Sequence, residues 1–186
     1  MRRLSAFEQV SVDGFFTDAR GDMSWAHKQD PEWNEFAASN AKGGGALLFG
    51  RVTYEMMASF WPTAAARQMN AAVAEGMNKM PKVVFSRTLA KASWSNTTLM
   101  KGDPAAAVRE MKGETGPDMV VLGSGGIVSQ LAQAGLIDEY QIVVDPIVLG
   151  KGRTLFEGVK DKIALKRTRT RAFGNGNVVL YYEPVT

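Results

Sequence analysis

The sequence lacks cysteine and contains only one histidine, His27. Without cysteine the chain has no disulfide framework, no thiolate nucleophile and no sulfur-ligated zinc or iron cluster. One imidazole is too few for zinc sites that need two or three. A serine triad would have to use that same ring, and no GxSxG motif accompanies it. We therefore expect His27 to be an exposed loop residue, and we predict no metal site.

The sequence also has no long apolar run and only a small excess of positive charge. No stretch approaches the ~20 apolar residues that span a bilayer, and the first residues lack a signal-peptide pattern, so we expect a cytoplasmic protein without a membrane partner. Its 22 Lys and Arg residues against 19 Asp and Glu give a net charge of +3. Basic residues gather in 160–171, where Ile163 and Leu165 interleave with them as in a strand with one wet face. We predict an exposed strand there, and no nucleic-acid partner, because no aromatic ladder is present.

The 186 residues, 45% of them apolar, are typical of one folded domain spanning 1–186. Short valine-rich runs predict buried strands, and apolar residues at helical spacing between them predict helices. This alternation indicates parallel pairing, hence a three-layer α/β fold with a mostly parallel central sheet. Two late strands that meet at Gly174-Asn175-Gly176 predict an antiparallel C-terminal hairpin. The predicted strands are 46–49, 82–85, 118–122, 140–148, 164–173 and 177–182, and the predicted helices are 33–42, 52–60, 103–112 and 127–134.

The strongest local motif is a glycine-rich junction between a predicted strand and a predicted helix, in MVVLGSGGIVSQLAQAGLID. Small residues let backbone N–H groups approach an anion, and the helix dipole adds positive potential at that point. The motif departs from GxGxxG, because Val128 occupies the third glycine position, and from the P-loop, because no Lys-Ser/Thr pair follows. The junction is therefore either a phosphate site or a tight strand-to-helix connection. Its residues are Gly123, Ser124, Gly125, Gly126 and Ile127.

Two further junctions carry polar side chains directly after a predicted strand. In LLFGRVTYEMM the strand ends at Gly50, and Arg51 and Thr53 lie in the first helical turn. A guanidinium beside free helical N–H groups suits a phosphate, although Arg51 alone is also explained as a solvated surface charge. In VVFSRTL, Ser86 and Arg87 follow another buried strand. Because parallel strands end at the same edge of a sheet, the three junctions together indicate a nucleotide with phosphates at two separated places.

The order GRVTYE, FSRTL, then GSGG before a helix resembles the dihydrofolate reductase fold, and more closely the reductase domain of bacterial riboflavin biosynthesis. SVDGFF and VDPIVLGKGRTLFEG are similar to that second branch, and the similarity covers essentially the whole chain. The resemblance implies a homodimeric reductase that uses NADPH rather than NADH. It also implies that the glycine-rich junction cradles the pyrophosphate, and that the two other junctions bind the 2′-phosphate and pyrophosphate regions through Gly50, Arg51, Thr53, Ser86 and Arg87.

The substrate end of the site is predicted from MSWAHKQDPEWNEF. In dihydrofolate reductases a tryptophan loop precedes a helix with one buried carboxylate, and the resemblance makes Asp30 the candidate catalytic residue. Such a carboxylate would hold the amidine edge of a pterin or pyrimidine by two hydrogen bonds. Asp30 precedes Pro31, so it is equally a helix cap, and the two roles are compatible. We expect Trp25, Trp33 and Phe49 to wall the pocket.

Other polar residues extend the predicted substrate site. Asp13 lies in the loop where the riboflavin branch has Asp-Gly followed by lysine, but Phe15 stands in place of that lysine. Lys151 and Arg153 would meet an anionic substrate or belong to a charged turn, and Asp145 would end a strand in the cleft or bond its own loop. The leading hypothesis is a reductase of a small pterin-like or pyrimidine substrate. The alternative is a nucleotide-binding protein without turnover on the same fold.

Overall fold

An eight-stranded sheet forms the middle layer of the fold within residues 1–123 and 125–185, which the computed structural model describes. Its strand order is β5-β4-β3-β6-β1-β7-β10-β9, and β2 pairs with β8 in a separate small sheet. The strands are β1 Leu4–Ser11, β2 Phe15–Asp18, β3 Ala46–Gly50, β4 Lys82–Phe85, β5 Thr97–Met100, β6 Met119–Val121, β7 Glu139–Asp145, β8 Gly152–Thr154, β9 Leu165–Ala172 and β10 Val178–Pro184.

The pairing confirms the predicted mostly parallel sheet with an antiparallel C-terminal hairpin. Every neighbouring pair from β5 to β7 is parallel, whereas β10 runs antiparallel to both β7 and β9. The hairpin turns at Gly174–Gly176, where Gly176 has a φ of +91° that glycine tolerates readily. β9 is the edge strand and all its residues are exposed, which confirms the exposed strand predicted in the basic segment.

Helices cover both faces of the sheet and complete the three predicted layers. Helices α5 and α6 pack on one face, over apolar residues that include Leu4, Leu48 and Val121, while α1 and α4 pack on the other face. Helices α3 and α4 lie in a stretch for which the sequence pattern predicted no element. The helices are α1 Pro31–Lys42, α2 Arg51–Phe60, α3 Ala64–Met69, α4 Ala71–Lys79, α5 Pro104–Gly113 and α6 Gly125–Gln133.

Two expectations about the chain as a whole can be compared with the structure. His27 is exposed in the loop after a short 3-10 helix at Ser24–Ala26, as expected. Among the described residues, no helix is both long enough and apolar enough to cross a membrane.

Lys82, the first residue of β4, is buried at the end of α4. Its side-chain Nζ donates to the backbone oxygens of Met77, Asn78 and Met80 at 2.8, 3.2 and 2.7 Å. The ammonium group also lies 4.5 Å from the centre of the Trp94 ring. Because the last carbonyl groups of a helix lack partners within the helix, Lys82 closes α4 from outside.

Replacing Lys82 by methionine (Lys82→Met) should lower the free energy of unfolding by about 2 kcal/mol, because the buried carbonyl oxygens of Met77 and Met80 lose their donor. Urea unfolding followed by tryptophan fluorescence measures the change. Lys79→Met is the matched control, since Lys79 pairs with Glu75 on the exposed side of the same helix and should contribute no more than about 0.5 kcal/mol. Equal losses for the two variants would show that Lys82 does not cap the helix.

Candidate functional site

The three junctions singled out in the sequence lie at one edge of the sheet. β4, β3 and β6 are parallel neighbours, with Gly50 in register with Phe85 and Leu48 in register with Val121. The chain therefore leaves all three strands at the same edge, and Arg51, Arg87 and Gly123 follow directly. The predicted convergence of the junctions is present in the structure.

Gly123 and Thr53 come into direct contact at this edge. The backbone N–H of Gly50 donates to the carbonyl oxygen of Gly123 at 3.3 Å, which joins the first and third junctions. Gly123 has a φ of +80°, and a Cβ built on it would lie only 3.1 Å from Thr53 Oγ1. A glycine is therefore required here both by the backbone conformation and by the close approach. The adjacent Ser124 lies outside the described residues.

Helix α6 begins at Gly125, and its first turn is packed under the small β2–β8 sheet. A Cβ on Gly125 would lie 2.8 Å from the ring of Phe16, whereas Gly126 is exposed and would meet nothing within 4 Å. Ile127 is buried in the core, so only its backbone can face a ligand. Arg153 lies over the Phe16 ring at 5.6 Å. The start of α6 thus presents backbone and the positive end of a helix dipole close to an arginine.

The side chains of the other two junctions differ in how they are held. Arg51 pairs with Glu55 one turn further along α2, at 2.8 Å, and both remain about half exposed. Ser86 Oγ accepts from the backbone N–H groups of Thr88 and Leu89 at 3.2 and 2.9 Å, so it braces its own loop. Arg87 is exposed and forms no ion pair with any residue that the structure describes.

A buried glutamate that the sequence reasoning missed lies beneath the glycine-rich junction. Glu8 in β1 is 4% exposed, and burial raises its pKa to about 8, although the nearby backbone N–H of Gly123 opposes that rise. Its Oε1 has no hydrogen-bond partner in the described part of the chain. The alternating pattern of LSAFEQVS could have predicted this burial, because Glu8 shares a face of the strand with the buried apolar residues Leu4, Ala6 and Val10.

A second buried carboxyl group, Asp145, ends β7 at the same edge but on the other face of the sheet. Complete burial raises its pKa to about 6, although Lys28 and Gln9 oppose that shift. Gln9 Nε2 donates to Asp145 Oδ2 at 3.3 Å, and Lys28 Nζ lies 3.7 Å from Oδ1. Lys28 also donates to the side-chain oxygen of the fully buried Asn177 at 3.3 Å. We call these four residues, Gln9, Lys28, Asp145 and Asn177, the Asp145 cluster.

Asp30, the candidate catalytic residue, is the N-cap of α1. Its Oδ1 accepts from the backbone N–H of Trp33 at 2.9 Å, and Pro31 occupies the first helical position. The cap interpretation is confirmed. Asp30 is only partly buried, whereas Asp145 is fully buried, and the catalytic role of Asp30 stays a prediction.

Two of the three aromatic residues predicted to wall the pocket lie in the core, and that prediction is wrong for them. Phe49 is 0% exposed, and its ring packs against those of Tyr54 and Trp94, because β3 is buried on both faces. Trp33 is 9% exposed and packs edge-on against Phe173 at 5.0 Å. The third residue, Trp25, is partly exposed in the short 3-10 helix.

The remaining substrate candidates lie around the loop after β7. Asp13 accepts from Ser11 Oγ at 2.6 Å and from the backbone N–H groups of Leu149 and Gly150, and these donors, the Ser11 hydroxyl first, hold its pKa below the usual range. Its carboxylate therefore fastens one loop to another. Lys151 is exposed at the start of β8, near Arg153.

The chain belongs to the RibD C-terminal domain family, whose profile matches residues 2–179. It is 26% identical over 182 residues to the uncharacterized protein YyaP of Bacillus subtilis, covering 98% of this chain and 95% of that protein. Together with the sheet order and hairpin, this membership identifies the fold as dihydrofolate reductase-like.

Two solved structures share this fold. A candidate riboflavin biosynthesis protein from Shewanella sp. PV-4 superposes with a TM-score of 0.76 at 22% identity, over 99% of both chains. A diaminohydroxyphosphoribosylaminopyrimidine deaminase/5-amino-6-(5-phosphoribosylamino)uracil reductase from Thermotoga maritima gives 0.70 at 14% identity, over 99% of this chain and 57% of the longer one.

Replacing Glu8 by glutamine (Glu8→Gln) should stabilise the protein increasingly as the pH rises from about 5 to 8. Native Glu8 keeps its proton up to a pKa of about 8, whereas the unfolded side chain loses it near 4.5, so raising the pH favours unfolding of the wild type in that range. We expect the melting temperature of the variant to exceed that of the wild type by about 3 °C or more at pH 8. The exposed Glu110→Gln is the control. A difference that is the same at every pH would contradict this account of Glu8.

Proposed function

We propose that the protein is an NADPH-dependent reductase of a small pyrimidine- or pterin-like heterocycle. The observation that carries the proposal is the convergence of the three strand-end junctions on one sheet edge, two with exposed arginines and one with a glycine-rich turn that starts α6. Bound there, NADPH supplies the hydride. The residues of this chain contribute the binding and orientation of the two reactants.

The residues at the glycine-rich junction fit a pyrophosphate. Side chains are excluded at Gly123 and Gly125 by contacts with Thr53 and Phe16, so backbone N–H groups and the α6 dipole are what an anion would meet. Exposed Arg51 and Arg87 follow the neighbouring strands β3 and β4 and supply cations for a further phosphate. The 2′-phosphate, which is separate from the pyrophosphate, distinguishes NADPH from NADH, and the extra cations are why we favour NADPH.

The Asp145 cluster supports the proposal at the substrate end. It lies where β1 and β7 end, beside the junctions, and combines a buried carboxylate, two amides and an ammonium group. Asp145 and Asn177 are fully buried, so the partly exposed Gln9 and Lys28 are the members whose amide and ammonium groups would meet the polar edge of a pyrimidine or pterin ring, with the partly exposed Trp25 on the chain segment beside them. The uracil reductase activity named for the Thermotoga protein belongs to the same chemical class. Lys151 and Arg153 would accept an anionic substituent of such a substrate.

NADPH should quench tryptophan fluorescence and raise the melting temperature at sub-millimolar concentration, and Arg87→Ala should weaken its binding about tenfold because one phosphate contact is lost. Arg109→Ala, an exposed arginine on α5, is the control and should bind like the wild type. Fluorescence titration measures both affinities.

Two results would contradict the proposal. The first is the absence of NADPH binding by the wild type. The second is NADPH binding without NADPH oxidation in the presence of every pterin, pyrimidine and small carbonyl compound tested. The second result would instead support the nucleotide-binding alternative.

We also propose a homodimer that uses the outer half of the sheet. On the face that carries α5 and α6, the strands β7, β10 and β9 present the partly exposed residues Val144, Val178 and Leu180, with Leu165 at the edge. A partly bare apolar sheet face is typical of an interaction surface.

Light scattering coupled to size exclusion should give twice the 20.2 kDa chain mass, and Leu180→Lys should reduce the measured mass to that of one chain, because a charge would then lie in the apolar interface. A wild-type mass of one chain would contradict the dimer.

A further inference from the structure

We propose that Glu8 is a positioning residue for the cofactor, which holds the Gly123 backbone in place and admits the pyrophosphate only while its carboxyl group is uncharged. The inference rests on the proposed function, because NADPH is the anion concerned. It makes NADPH binding depend on the protonation of one carboxyl group, which the three strand-end junctions alone would not predict.

The first argument for this role is the position of Glu8 beneath the glycine-rich junction. Glu8 Oε2 lies 3.7 Å from the point where a Cβ of Gly123 would stand, and the backbone N–H of Gly123 is close enough to the carboxyl group to favour its charged form. Thr53 Oγ1 closes the same space from α2. Glu8 is thus directly beneath the turn whose outer side is the candidate pyrophosphate site, separated from it by one layer of backbone.

The second argument is the lack of hydrogen-bond donors around the Glu8 carboxyl group. Its Oε1 is buried without a partner among the described residues. An ionised carboxylate is stable in a dry site when several donors or a cation surround it, and the backbone N–H of Gly123 alone is too little. The neutral acid costs less to bury in these surroundings than the carboxylate does.

The charged groups on the elements around Glu8 do not neutralise it. α6 carries no charged residue, and on α2 Arg51 is paired with Glu55. On β8, Arg153 lies over the Phe16 ring, while Asp145 of β7 faces the opposite side of the sheet with Lys28. No ion pair in the described part of the chain includes Glu8. A negative charge on Glu8 would therefore repel a pyrophosphate bound above it, with no ion pair to offset it.

Proton binding by Glu8 and cofactor binding should consequently favour each other. For one linked proton the dissociation constant of NADPH rises up to tenfold for each pH unit above the pKa of the free protein. With a pKa of about 8 for Glu8, we expect the wild-type dissociation constant to rise about tenfold between pH 7 and pH 9. By reciprocity, bound NADPH should raise the pKa of Glu8.

The test is fluorescence titration of NADPH from pH 6.5 to 9.5 with the wild type, Glu8→Gln and Glu110→Gln. Titration of the cofactor's own phosphate is common to all three proteins. Glu8→Gln keeps an oxygen to accept from Gly123 but cannot ionise, so its dissociation constant should lack the tenfold rise. Glu110→Gln, an exposed change on α5, should follow the wild type. A purely structural role for Glu8 would shift the affinity of Glu8→Gln equally at every pH.

The outcomes separate the two proposals. NADPH binding with one shared pH profile in all three proteins overturns the role of Glu8 and leaves the proposed function intact. Absence of NADPH binding by the wild type at any pH overturns both. Should Glu8→Gln fail to fold, infrared spectra of wild-type protein with ¹³C-labelled glutamate report the buried protonated carboxyl directly. Loss of that band at the same pH with and without NADPH would overturn the inference.

Discussion

The parallel register of the strands β4, β3, β6, β1 and β7 is the constraint on which the candidate site depends. Because all five run in the same direction, each delivers the chain to the same edge, although the segments involved are up to about 135 residues apart in sequence. Reversal of any one strand would send its junction to the opposite edge, about 15 Å away for strands of this length. The hydrogen bonds of the sheet therefore position Arg51, Arg87 and Gly123 relative to each other.

Two buried carboxyl groups at this edge are the other unusual feature, and they lie on opposite faces of the sheet. Glu8 pairs in register with Ile142 on the side of α5 and α6, whereas Asp145 pairs with Ser11 and shares the other face with Gln9 and Val143. Burial disfavours the charged form of each, so both reduce the stability of the fold at neutral pH. Groups with such perturbed pKa values cluster at functional sites, and here Glu8 adjoins the glycine-rich junction while Asp145 lies at the same sheet edge.

The sequence predicted the parts of this site that are encoded locally. Buried runs that end in glycine and continue as an amphipathic pattern predict strand-to-helix junctions, and the structure contains both of them, from β3 to α2 and from β6 to α6, whereas the run before Ser86 leads into a loop and then β5. The failures concern residues whose surroundings are set by distant segments. Phe49 lies on a strand that is buried on both faces, so the local sequence does not show which face of the sheet its side chain occupies. Glu8 was detectable as an acid on an apolar face, but its contact with Gly123 spans 115 residues of sequence and exists only after β1 and β6 pair.

Packing explains why Asp145 is fully buried and Asp30 is not. The inward side of α1 is filled by Trp33 and Phe36, which pack against Phe173 of the hairpin, so the helix has no space for a buried acid there. The Asp30 carboxylate accepts from the backbone N–H of Trp33 and so caps that helix. The neighbouring strand β7 ends with a side chain pointing to the same face, and Gln9 and Lys28 reach it from β1 and from the segment before α1. The strand register therefore positions Asp145 at the same sheet edge at which it positions the three junctions.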